Sequence, residues 1–120
     1  MTSESRVLTQ KQIAESFSNG DFEPSFPCLA KTIEWNIVGD KTIEGKEAVI
    51  EECKQTSDYF KTITTNFTTL NVISEKNRVA VNGTAEFIRD GQRLSFVSAC
   101  DVYTFNDKHE LQRIDSYCIK

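Results

Sequence analysis

The spacing of apolar residues changes once along this chain, from a helical period to a period of two. Leu8, Ile13, Ala14 and Phe17 recur at helical spacing across residues 7–19, the mark of an amphipathic helix. Gly20 supplies the left-handed conformation that ends it. Residues 22–30 read as a short second helical segment, with Pro24 near its start and Pro27 disturbing it. Residues 32–38 form a short strand closed by Gly39-Asp40. Residues 45–60 make the longest helix, whose candidate buried positions are Ala48, Val49, Ile50, Cys53, Tyr59 and Phe60.

Beyond that point four strand-like runs follow, rich in Thr, Val, Ile and Phe. They cover residues 63–75, 78–89, 92–105 and 110–119. Lys76-Asn77, Asp90-Gly91 and Asn106-Asp107-Lys108 separate them, and Asp90-Gly91 is a strong two-residue hairpin signal. Hairpin connections predict an antiparallel meander. Helices grouped before strands predict an α+β fold, with a curved sheet, helices over one face and a pocket between them.

The strand at 92–105 has apolar groups on both faces. Val97, Ala99, Tyr103 and Phe105 share one, and Phe96, Cys100 and Val102 share the other. One face packs under the helices; the other is left as an apolar patch, which predicts a homodimer through the sheet.

A length of 120 residues fits one domain over 1–120, large enough for a core without disulfides or metals. Fourteen basic against 18 acidic residues, a net charge of -4, argue against a nucleic-acid surface and against docking on anionic lipid. The polar start Met1-Thr-Ser-Glu-Ser-Arg has no apolar signal region, and no apolar run is long enough to span a bilayer. The expected location is cytoplasmic, with Cys28, Cys53, Cys100 and Cys118 reduced. These cysteines are scattered, and read as small buried apolar residues. With no CxxC pair and the single His109 in a turn, neither a metal nor a cofactor is expected.

Three local marks carry a family resemblance: Asn19-Gly20-Asp21 after the first helix, Ile43-Glu44-Gly45-Lys46-Glu47-Ala48-Val49 opening the long helix, and Asp101-Val102-Tyr103-Thr104-Phe105 before the last hairpin. In their order and spacing the chain resembles the SnoaL-like branch of the nuclear transport factor 2-like superfamily. The resemblance implies a cone-shaped α+β barrel, its curved antiparallel sheet covered on the concave face by the N-terminal helices. Relatives of that fold include isomerases, polyketide cyclases, dehydratases, epoxide hydrolases and proteins without catalysis, so the fold does not give the function.

Compared residue by residue, Asp101 is similar to the strand aspartate of ketosteroid isomerase, which is protonated there and donates to an oxyanion. Ile13 stands where that enzyme's first-helix tyrosine would be, and Trp35 or Asn36 where its general base would be. Asp115, in Arg113-Ile114-Asp115-Ser116-Tyr117, is similar to one of two epoxide hydrolase acids. Arg78-Val79-Ala80 resembles the same enzymes' Arg-x-Asp, with Ala80 in place of the second acid.

By period two, Asp101 shares a face with Tyr103, and Arg113 shares one with Asp115 and Tyr117. If both faces point into the cone, two carboxylates, a guanidinium and two phenols converge. Burial and like charge would then raise one carboxyl for proton transfer. A β-bulge would instead turn Ile114 and Cys118 inward. Trp35 is placed to stack on a flat ligand or to fill the core. The expected site is therefore Asp101 and Asp115 as catalytic acids, with Phe17, Trp35, Tyr103, Arg113 and Tyr117 around a small apolar or cyclic ligand. The alternative is a ligand carrier or protein-association module without catalysis.

Overall fold

A computed structural model describes residues 8–120. Val7, the expected opening of the first helix, and the polar stretch at 1–6 lie outside the described residues. Helix α1 spans Gln10–Ser18. Thr9 caps it reciprocally with Gln12: Thr9 Oγ1 accepts from the Gln12 amide at 3.1 Å, and Gln12 Oε1 accepts from the Thr9 amide at 2.8 Å, a capping box. Its inner face buries Ile13, Ala14 and Phe17.

The second helical segment is a 3-10 turn at Glu23–Cys28. Pro27 removes a donor inside it, and the chain becomes extended earlier than expected. Strand β1 is Leu29–Ile37, and β2, Lys41–Glu44, pairs back onto it. β2 is too short and too exposed to show a period of its own. Helix α2 is Lys46–Phe60, with Val49 and Cys53 buried. Ala48 lies exposed on its outer side, and Tyr59 turns to solvent.

The long strands are β3 (Thr64–Glu75), β4 (Arg78–Arg89), β5 (Gln92–Phe105) and β6 (Leu111–Ile119). They form the expected antiparallel hairpins. The full order is β2-β1-β6-β5-β4-β3. The sheet is thus open, and β1 joins β6 in parallel, a pairing without a hairpin signal.

Four irregularities interrupt the registers. Bulges bend and twist a sheet, and these curve this one around α1 and α2. The concave face holds the core, which runs from Ile13 and Phe17 through Ile33 and Trp35 to Tyr103, Leu111 and Ile114. Among the described residues no helix is long and apolar enough to cross a membrane.

Candidate functional site

Between the concave face and the helices lies a cavity of about 330 Å³, at the lower end of the size of small-molecule pockets. Its wall is largely apolar. Phe17 and Phe22 come from the first helix and its exit, Trp35 from β1, and Phe60, Phe67 and Phe87 from the end of α2, β3 and β4. Phe17 meets the Trp35 ring edge-on at 5.1 Å, and Phe60 stacks on Phe87 at 5.7 Å. The more exposed Glu52, Cys118 and Lys120 mark the mouth.

Asp101 sits at the floor. Alternation on β5 turns Val97, Ala99, Asp101 and Tyr103 inward, as expected from the sequence. One carboxylate oxygen, Oδ2, accepts from Ser18 Oγ at 2.8 Å, and the same hydroxyl lies 2.6 Å from Tyr103 OH. Ser116 stands opposite Asp101 across the β5–β6 ladder. Ser116 Oγ accepts from Trp35 Nε1 at 2.9 Å. Burial pushes the Asp101 carboxyl above its ordinary range, and the two serine hydroxyls pull it partly back. Burial holds the Tyr103 phenol far above its usual value, and neighbouring Asp101 adds to this.

The alternation that would carry Arg113, Asp115 and Tyr117 into the cone is broken at Gln112. Phe105 pairs with Leu111 and Thr104 with Arg113, so Gln112 is the extra residue. This bulge inverts the parity of β6. Ile114, Ser116 and Cys118 point inward; Arg113, Asp115 and Tyr117 stand on the outer face, contrary to the expected convergence. There Arg113 Nε donates to both oxygens of Asp115 at 3.1 Å, and its Nη1 donates to Glu34 at 2.8 Å. Asn36 Nδ2 also donates to Asp115.

The structure therefore brings Asp101, Trp35 and Phe17 to the cavity. It places Tyr103 beneath the floor, fully buried. Sequence reasoning missed Ser18, whose hydroxyl bonds Asp101, and Ser116, which faces it from β6. Ser116 was hidden by the parity of β6, whereas Ser18 follows Phe17 on the α1 face and carried a detectable signal. Cys118 lines the cavity instead of filling the core. Burial and Asp101 raise its thiol, which keeps it protonated. Burial likewise pushes the Cys53 thiol up to about 12. No disulfide links the four cysteines. His109 lies in the β5–β6 turn, where its ring is 3.3 Å from Gln10 Nε2.

A sequence profile described as the SnoaL-like domain matches residues 11–112. No curated protein sequence matches significantly. Similar solved structures include an NTF2-like protein of unknown function from Cytophaga hutchinsonii, 36% identical over 89% of this chain and 93% of that one, with a TM-score of 0.80. An LEH-like epoxide hydrolase from M. tuberculosis is 15% identical over 88% of this chain and 75% of that one, with a TM-score of 0.65. SalBIII, an epoxide hydrolase/cyclase-like enzyme of pyran ring formation in the polyether salinomycin, is 16% identical over 92% and 90%, with a TM-score of 0.69. At such identities the two enzymes share the fold alone.

Proposed function

Because the chain belongs to the SnoaL-like domain family, we propose that it binds a small, largely apolar or cyclic molecule in the cavity above Asp101. The observation that carries this reading is an aromatic-lined cavity with one acid at its floor. The apolar wall supplies affinity, and a single buried polar group fixes orientation. Asp101 is the group through which any acid–base step would run.

Carriage without turnover has specific support. Asp115, the expected second acid, is on the other face. Among the described residues the only other carboxylate in the lining is Glu52, held by Lys41 at 3.4 Å. Arginine-bridged carboxylate chemistry has no arginine in this lining to use.

The test uses Trp35, the chain's single tryptophan, as a reporter in the cavity wall. A panel of bicyclic alcohols, ketones and amines is expected to give at least one saturable change in its fluorescence. Ala99→Phe, which fills the inner face beside Asp101, should abolish that change. A panel without a saturable response would sink the reading.

The same proposal extends to a homodimer through the outer face of the sheet. Phe96, Tyr117 and Ile119 are 42%, 47% and 73% exposed there, on neighbouring rows of β5 and β6; Ile73, 66% exposed, shares the face on β3, level with Val102. An apolar face of this kind is the signature of an association surface. Sedimentation equilibrium at micromolar concentration is expected to give twice the chain mass; a clean monomer refutes it. A cytoplasmic location accords with four unbridged thiols.

A further inference from the structure

The cavity has two polar ends and an apolar middle. Ser18 and Asp101 form the inner end. The outer end lies between the last residues of β6 and α2, where Lys120 and Glu52 line the wall. On β6 the two ends are four residues apart, with Ser116 facing Asp101 and Lys120 at the mouth, a separation of about 13 Å along the strand. Phe67, Ala85 and Val97 lie in one row across β3, β4 and β5. Ser98 pairs with Ile119, so the next inward position after Cys118, Lys120, continues that row. The cation therefore closes an apolar row on the inner face.

Charge at the mouth is not balanced. Glu52 is held by Lys41 at 3.4 Å, so its carboxylate is already compensated. Lys120 makes no ion pair with another side chain among the described residues. Two ammoniums and one carboxylate thus surround the opening, and the lining offers no further cation. Burial and Asp101 raise the Cys118 thiol, and the Lys120 ammonium pulls it partly back, which places that ammonium beside the cavity wall. A lysine stem is apolar, so Lys120 can lie along the wall with its charged end at the opening. Asp101 is about 13 Å further in, so its protonation state decides little at the mouth.

We propose that the ligand is a small amphipathic carboxylate, its ring or chain against the aromatic wall and its carboxylate at the mouth on Lys120. This rests on the reading of the cavity as a small-molecule site and adds the charge and orientation of what enters. A neutral molecule buries the same apolar surface but leaves Lys120 unpaired. A cation meets an uncompensated ammonium at the opening. An acid without an apolar body gains only the contact at the mouth, and a partly exposed ion pair is weak by itself. The apolar wall thus supplies most of the affinity, and Lys120 selects which apolar molecules stay and which end points outward.

The experiment compares cyclohexanebutyrate with its neutral counterpart cyclohexanebutanol by Trp35 fluorescence near neutral pH, where the acid is ionised. At low salt the acid should bind about fivefold tighter, the upper end for a partly exposed ion pair. The preference should fall towards parity at about 1 M salt, where such a pair is screened. Lys120→Gln should abolish the preference or reverse it. Glu52→Gln, which leaves Lys41 as a second uncompensated cation, should increase it. Lys120 lies beyond the last residue of β6 and outside the core, so its variant keeps the fold. Equal binding of the two probes, or a preference for the alcohol, overturns the proposal and leaves the cavity reading standing. So does a preference for the acid that survives Lys120→Gln. Failure of both probes overturns it as well when the wider panel responds; when that panel also fails, the cavity reading falls with it.

Discussion

Gly83→Ala is expected to destabilise the protein by about 3 kcal/mol, although it adds only one methyl group. Gly83 lies on β4 opposite Thr69 of β3 and Ala99 of β5. A Cβ built there falls against the Thr68 carbonyl oxygen, with the Thr68 carbonyl carbon and Thr69 Cα each at 3.3 Å. All three are backbone atoms, so no rotamer change relieves the clash; β3 itself must move. Just beyond, Leu70 is the extra residue where the β3–β4 register slips. The missing side chain thus lets the bulged strand fold inward over the cavity.

An opposing effect exists. Replacing glycine restricts the unfolded chain and stabilises by about 0.4–1 kcal/mol where the native conformation tolerates it. The backbone overlap is larger, so destabilisation wins. Denaturant unfolding followed by circular dichroism should show a lower midpoint with an unchanged slope. A stability within about 0.5 kcal/mol of the parent would mean that β3 yields freely, and the tight curvature claimed for this corner would be wrong.

Asp101→Asn is expected to leave the protein as stable as the parent near neutral pH or more stable, by an amount of the order of 1 kcal/mol. Burial raises the Asp101 carboxyl in the folded state, so folding favours the protonated form. A group raised in this way contributes stability that is full below its unfolded value, about 3.8. That contribution is lost as pH rises through its folded value. The asparagine has no such loss.

Its geometry also fits. The amide oxygen can accept from Ser18, and the amide nitrogen can donate to Ser116, whose oxygen retains room beside the Trp35 donor. Arg113 does not enter the balance, because it is ion-paired on the opposite face. The stability difference between variant and parent should therefore widen with rising pH from about 4 upward and close in acid. A difference that stays constant with pH, or a parent that outlasts the variant at neutral pH, would show that the carboxylate has a counter-charge after all.

The two helices and four long strands were legible because their apolar residues repeat at 3.6 or 2 and their boundaries carry turn residues. Asp101 was legible for the same reason: β5 alternates without a break from Val97 to Phe105. Arg113, Asp115 and Tyr117 were misplaced because a single extra residue, Gln112, reverses everything after it, and nothing in its composition marks it. The β1–β6 pair was invisible because parallel pairing leaves no local signal. Gly83 carries no mark in the sequence, since only the fold shows that Thr68 occupies its side-chain space.

The order β2-β1-β6-β5-β4-β3 has a consequence for synthesis. β6, the last of the six strands to leave the ribosome, is inserted between β1, the first, and β5. Until it emerges, β1 and β5 both present unpaired edges, and such edges recruit other chains. Ile114 and Leu111, both wholly buried, are missing from the core as well. The nascent chain can hold only the β3–β4–β5 meander and the β1–β2 hairpin apart from each other. Cooperative closure must then wait for residues beyond 111, and the long sequence separation of the β1–β6 contacts slows it. A stop codon between β5 and β6 would thus yield two exposed ribbons prone to aggregation.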